Sequence, residues 1–232
     1  MISDFLMYWT SRPLVSTYTD TMLTMDVVKH EPLPSGPRII AANHLSTTDP
    51  FFVAAMVRTQ SYILIKDLLF QVPILGEYLR RSGHIPVKAG EGQQAIDAAL
   101  EHLRAGRTVI IFPEGELSPE EGGFNKARTG VARIALESGA PVIPVGIHLQ
   151  RNRMHTIRST VRGQVAYGRW YLRGPYYMTV GRPLHLHGDV QDRAHVRLSA
   201  ERVMHQIIEL AYESEERMGQ TPGMFSGAFG AE

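Results

Sequence analysis

Arg38-Ile39-Ile40-Ala41-Ala42-Asn43-His44-Leu45-Ser46-Thr47-Thr48-Asp49-Pro50 is the stretch that decides how this 232-residue chain folds. An apolar run opens it, and a second one, residues 51–57, follows it. That pattern predicts strand, tight loop, helix, with Asp49 as the N-cap and Pro50 at the first helical position, where a missing N–H costs nothing. The loop then displays His44 five positions before Asp49, at the carboxyl end of a strand. Open α/β sheets bind ligands at that end. An imidazole held by a carboxylate is a general base poised near neutral pH. Taken alone, the spacing favours a helix cap beside an ordinary loop histidine, one of ten in the chain, over a catalytic pair.

The flanking sequence repeats the strand–helix alternation. Strands are predicted at 22–28, 38–42, 62–65, 84–87, 108–112, 142–147 and near 177–180, and turns at 32–37 and 73–76. Helices are predicted at 91–105, through Ile96, Ala99, Leu100 and Leu103, and at 130–138, closed by Gly139. A long C-terminal helix, 192–218, buries Val196, Val203, Ile207 and Leu210. This alternation implies one α/β domain, residues 21–218, with a largely parallel or mixed central sheet flanked by helices. Residues 1–20 read as an amphipathic segment through Ile2, Phe5, Leu6 and Trp9, and 219–232 as a flexible tail.

Composition excludes several chemistries. With no cysteine, the chain forms no disulfide, no Cys-ligated zinc or iron–sulfur site and no acyl-cysteine intermediate. A net charge of +1 gives no footprint for nucleic acid. No run of about 18 apolar residues predicts a spanning helix, and the N-terminus lacks the form of a secretory signal. The charge is unevenly spread, however. Between Ser138 and Gly188 there is no Asp or Glu, whereas Arg151, Arg153, Arg158, Arg162, Arg169, Arg173 and Arg182 all fall there. Such a segment attracts phosphates or an anionic surface. Trp170, Tyr171, Tyr176 and Tyr177 are interleaved with it and suit a membrane interface.

A second constellation follows the strand at 108–112, in Pro113-Glu114-Gly115-Glu116-Leu117-Ser118. In a parallel sheet the loops at one end share a face, so His44, Asp49, Lys66 and Glu114 are expected to converge. Lys126, Arg128, Thr129 and Gly130 precede a helix whose N-terminus is a ready anion site.

These blocks resemble the glycerolipid acyltransferase family, the group of 1-acyl-glycerol-3-phosphate acyltransferases. Asn43-His44 to Asp49 is similar to the family's His-x4-Asp motif. Gly83-His84-Ile85-Pro86-Val87-Lys88 resembles its second block, Phe112-Pro113-Glu114-Gly115 the third, and Val142-Ile143-Pro144-Val145 the fourth. Lys66, with Leu69-Phe70, Pro73 and Gly76, sits where the family has a Lys-containing segment. The four blocks occur in order across nearly half of the chain.

The resemblance implies acyl transfer from acyl-CoA or acyl-carrier protein to a lipid hydroxyl, with 1-acyl-glycerol-3-phosphate as acceptor and phosphatidic acid as product. His44 would act as base and Asp49 as its partner, with Lys66, Lys88, Glu114, Gly115, Lys126 and Arg128 binding substrate. No cofactor and no metal are implied, and nucleic acid is no partner. With no spanning helix, attachment to the inner face of the cell membrane, on the cytoplasmic side, is expected through the N-terminal apolar residues and the arginine-rich segment. The chain departs from the family where Glu116-Leu117-Ser118 replaces the usual Thr-Arg-Ser, whose arginine is associated with the acceptor phosphate. Lys88 likewise stands near the arginine expected in the second block, keeping its charge but not its planar fork. Those changes weaken phosphate binding unless Lys66, Lys126 and Arg128 compensate, and they bring in a rival acceptor, the hydroxyl of an amino-acid lipid or glycolipid. Two readings of other classes share the same residues: a metal-dependent hydrolase ligated by His44, Asp49, Glu114 and His148, and a non-catalytic membrane-binding module.

Overall fold

The structure, a computed structural model, describes residues 2–57, 59–161 and 163–220, with side chains from Trp9 onward except at 164 and 166. The Ile2, Phe5 and Leu6 side chains, Arg162 and the tail beyond Gln220 lie outside the described residues. Seven strands form one sheet: β1 (Leu23–Lys29), β2 (Arg38–Ala42), β3 (Ser61–Lys66), β4 (Ile85–Val87), β5 (Thr108–Ile111), β6 (Val142–Leu149) and β9 (Gly174–Val180). Their order is β1-β9-β6-β2-β5-β3-β4. Every neighbouring pair is parallel except β6 with β9. Two further strands, β7 (Met154–Val161) and β8 (Gln164–Tyr171), form a separate antiparallel hairpin between β6 and β9.

Alternation along β2 explains the layers. Ile39 and Ala41 face a core built with α4 (Gly92–Arg104), α5 (Gly130–Ser138) and α6 (Arg193–Gln220). Ile40 and Ala42 face the other side, where α2 (Asp49–Met56) contributes Phe52, Val53 and Met56. Both faces are covered, so β2 and β5 are wholly buried, as continuous apolar runs require. Val196, Val203, Ile207 and Leu210 of α6 are buried as the periodicity predicts, each worth about 1.5–3 kcal/mol. That helix lies directly on β6, because a Cβ at Gly146 would stand 2.0 Å from the Ala211 nitrogen.

Three features differ from the sequence reading. The stretch 154–171 forms the hairpin, which the arginine-rich composition concealed. Residues from the 73–76 break onward form α3 (Leu75–Arg81). α1 (Ile2–Met22) is a long helix that contains Pro13 rather than a short segment. The aromatic interleaving also splits: Tyr171, Tyr176 and Tyr177 are buried in the fold and offer nothing to a membrane.

Candidate active site

β2 delivers Asn43 and His44 to the carboxyl end of the sheet. The Asn43 side chain clasps the main chain of β6, donating to the Ile147 carbonyl at 2.9 Å and accepting from the Ile147 N–H at 2.7 Å. This fixes the point at which β2 ends and the loop begins. α2 then starts at Asp49 itself with Thr48 as its N-cap, and no side chain caps it. Asp49 is therefore released from the capping role that its spacing suggested.

The Asp49 carboxylate is fully buried and serves the loop instead. Its Oδ2 stands 3.3 Å from His44 Nδ1 and accepts the Ser46 N–H at 2.7 Å. Its Oδ1 accepts the Tyr176 hydroxyl at 2.9 Å. Burial and the adjacent Asp49 charge hold the Tyr176 pKa well above that of a free phenol, so the hydroxyl stays a donor. The three contacts fix the carboxylate in one orientation, and the carboxylate fixes the imidazole. The His44 ring also stacks on Phe112, with centroids 4.4 Å apart. It is partly open to solvent at 18 %, and its Nε2 has no partner among the described residues.

The loop after β5 closes on the same site. Glu114 is 1 % exposed. Its Oε1 accepts the His44 main-chain N–H at 2.9 Å and the Ser118 hydroxyl at 2.7 Å, and its Oε2 accepts the Asn125 N–H at 2.8 Å. Ser118 N–H returns to the His44 carbonyl at 2.7 Å. Glu114 thus grips the main chain of His44 from one side while Asp49 holds its ring from the other. Gly115 has φ 71°, and a Cβ there would lie 2.4 Å from Arg128 Nε. Only glycine lets that guanidinium rest on the loop.

His44, Asp49 and Glu114 are brought together, and Arg128 reaches Gly115. The lysines are spread more widely. Lys66 ends β3, two strands from β2, and Lys88 follows β4, three strands away; at about 4.8 Å per strand their main chains stand roughly 10 and 14 Å off. Lys66 and Lys126 are exposed without a hydrogen bond or ion pair among the described residues, and Lys88 pairs with Glu91 at 3.5 Å. His148 lies on β6, 4.0 Å from Glu215 of α6. Burial lowers its pKa. Among the described residues no three His, Asp or Glu side chains gather as ion ligands, so the set His44, Asp49, Glu114 and His148 does not assemble.

Tyr176, Ser46 and Ser118 complete the site without having been singled out as site residues. Tyr176 is 127 positions from Asp49, beyond any local pattern. β8 crosses the His44 loop as well: the Arg169 carbonyl accepts the Thr47 N–H at 2.7 Å, and the Tyr171 N–H reaches Ser46 Oγ at 3.2 Å. A cavity of about 290 Å³ lies beneath α1 and is lined by Val15, Met25, Phe51, Met56, Ile63 and His84 among others, with no member of the dyad. Burial, aided by the neighbouring His102, pushes the His84 pKa down to about 4, so that ring is neutral.

Known acyltransferases resemble this chain in sequence and in fold. A 1-acyl-sn-glycerol-3-phosphate acyltransferase of Pseudomonas aeruginosa is 31% identical over 119 residues, 50% of this chain and 46% of that protein. The chloroplastic 1-acyl-sn-glycerol-3-phosphate acyltransferase of Brassica napus is 28% identical over 125 residues, 52% of this chain and 36% of that protein. The chain therefore spans less than half the length of these curated relatives. The crystal structure of the 1-acyl-sn-glycerophosphate acyltransferase of Thermotoga maritima superposes with a TM-score of 0.61 at 22% identity, covering 89% of this chain and 79% of that one. The likeness is one of fold. The model of the Acyltransferase family matches residues 24–148, just over half of the sequence and the whole span from β1 to the His44 and Glu114 loops, and the chain belongs to that family.

Proposed function

We propose that this chain transfers a fatty acyl group from an acyl thioester, acyl-CoA or acyl-carrier protein, to the free hydroxyl of 1-acyl-glycerol-3-phosphate, giving phosphatidic acid. The observation that carries this reading is the imidazole locked at Nδ1 by a buried carboxylate while Nε2 stays open. The relatives named as 1-acyl-sn-glycerol-3-phosphate acyltransferases supply the substrate class.

Asp49 keeps the proton of neutral His44 on Nδ1, so Nε2 carries the lone pair. The acceptor hydroxyl gives its proton to Nε2 as its oxygen attacks the thioester carbonyl carbon. Asp49 stabilises the imidazolium that results, and Tyr176 and the Ser46 N–H keep Asp49 from rotating away. The tetrahedral intermediate collapses, the C–S bond breaks, and the thiolate takes the proton back from Nε2. The acceptor oxygen is itself the nucleophile, so no side chain becomes acylated.

Both substrates are amphipathic, and the reading places the protein peripherally on the inner face of the cell membrane. No described helix is long and apolar enough to cross a membrane. Trp9 and Leu14 of α1 are exposed, as are Ile157, Val165 and Tyr167 on the β7–β8 hairpin. A ribbon open on both faces is marginal in water and gains from a covering surface.

The test is thiol release from acyl-CoA, with and without lyso-lipid acceptor. Wild type is expected to release thiol only with acceptor, and His44→Ala to be slower by roughly 100- to 10,000-fold. Release at equal rate without acceptor makes the protein a thioesterase, and an unimpaired His44→Ala removes the base.

A further inference from the structure

Two arginines are buried among the described residues, and they are served differently. Arg38, at the far end of β2, spends both terminal nitrogens on the carbonyls of Pro34 and Gly36 and on Thr59 Oγ1. Only its Nε lacks a partner among the described residues, and it lies outside the cavity beneath α1 and the cleft beside Arg169. Arg169 is 7 % exposed and donates Nη2 to the Ser118 carbonyl, but its Nη1 is buried with no partner among the described residues. No carboxylate lies within ion-pair distance of Arg169 among the described residues. A buried guanidinium without a counter-charge is costly, and the cost falls away when an anion arrives.

The surroundings suit that anion. Arg169 lines a cleft of about 60 Å³ with Arg151, Thr156, Met154 and Glu120. That is above the roughly 10–15 Å³ that a single water needs, so the cleft has room for a small polar group. Arg151 is anchored at the rim by the carbonyls of Pro119 and Glu120, at 3.0 and 2.9 Å. Glu120 forms no ion pair with either arginine among the described residues. The cleft also adjoins the chemistry. Ser118 gives its N–H to the His44 carbonyl and its own carbonyl to Arg169, so one residue separates guanidinium from dyad.

We propose that Arg169 of β8 and Arg151, just before β7, form a subsite for a phosphate monoester, that of the acceptor lipid, supplying the cationic contact that Leu117 cannot make. The proposal rests on the acyl-transfer reading above. Strand alternation puts Arg158, Tyr167 and Val165 on the same face of the hairpin as Thr156 and Arg169. With Tyr167 and Val165 exposed, that face runs outward from the cleft as an amphipathic track. A lyso-lipid lying along it places its phosphate on Arg169 and its apolar part away from the core.

The experiment compares kcat/KM for lysophosphatidate and for its dephosphorylated monoacylglycerol in wild type, Arg151→Gln, Arg169→Gln and Arg169→Lys, together with the thermal shift caused by inorganic phosphate. The ratio of the two kcat/KM values is expected to fall about tenfold in Arg151→Gln and about 100-fold in Arg169→Gln, the range for losing charge-assisted hydrogen bonds. Arg169→Lys recovers part of it, keeping charge but not the fork. Arg151 is exposed, so its variant carries the test even if Arg169→Gln does not fold. Ratios within about twofold of wild type, where a charged contact predicts more, overturn the proposal. So does a rise in KM for acyl-CoA with the acceptor ratio kept, since the phosphate would then be the donor's. If wild type transfers to no acceptor, the acyl-transfer reading fails. A phosphate-induced shift that Arg151→Gln abolishes still supports the subsite in that case, and the absence of any shift removes it.

Discussion

The two loops at the carboxyl end of the sheet and the β7–β8 hairpin touch one another, yet they are built on opposite terms. In the loops, two buried carboxylates are used completely: Asp49 accepts from Ser46 and Tyr176 besides holding His44, and Glu114 accepts from His44, Ser118 and Asn125. On the hairpin, a buried guanidinium has a spare donor, and most side chains of β7 face solvent. A satisfied network has one arrangement and resists change, because breaking any member leaves another stranded. An unsatisfied one is incomplete until something binds. The loops therefore suit the proposed catalytic geometry, which must be fixed beforehand, and the hairpin suits the proposed recognition of a substrate that arrives from outside.

Glu114→Gln tests the fixed side most severely. The new amide puts N–H donors against donors already present, so about 1–3 kcal/mol of stability is expected to be lost, measured by urea denaturation. kcat should fall with it as the His44 main chain loosens. A large fall in kcat with the urea midpoint preserved would break the comparison, since Glu114 would then contact substrate rather than hold the loop.

Tyr176→Phe is a smaller cut in the same network. It deletes one donor to Asp49 Oδ1 and leaves the Ser46 N–H and His44 on Oδ2. A loss of roughly one hydrogen bond, about 1 kcal/mol, is expected in stability and in the barrier alike, with KM little altered. Measuring kcat and KM separately sharpens the contrast with the hairpin arginines, whose loss should appear in KM for the phosphorylated acceptor.

The same contrast shows why part of the molecule was legible in the sequence. The β2, α5 and α6 signals are local: an apolar run before His44, a helix closed by Gly139, a 3.6-residue stripe through Val203 and Ile207. The convergence of His44, Asp49 and Glu114 followed from parallel-sheet geometry and needed no alignment. Tyr176 and Arg169 reach the site through long-range pairing of β9 and β8 with loops more than 100 residues away, and no periodicity encodes such a meeting. Asp49-Pro50 reads as a cap because the local rule sees only the helix. The carboxylate is taken by Ser46, His44 and Tyr176, which together outbid a helix N-terminus.

The hairpin gives the smallest expected change in the folded state and the clearest in location. Val165 and Tyr167 are 45% and 67% exposed, and both lie on the face that leads to Arg169. Replacing both with Asp removes apolar area and adds two negative charges beside Arg158, yet strands nothing buried. Stability should therefore stay within about 0.5 kcal/mol of wild type. Binding to vesicles containing anionic lipid should weaken by about tenfold or more, from roughly 1 kcal/mol per Lys or Arg charge offset near the surface and the lost apolar contact. Sedimentation with such vesicles measures this directly. Unchanged sedimentation with a stability loss above about 2 kcal/mol would mean that the ribbon packs against protein, and the division between a fixed catalytic floor and an open lipid-facing arm would fall with it.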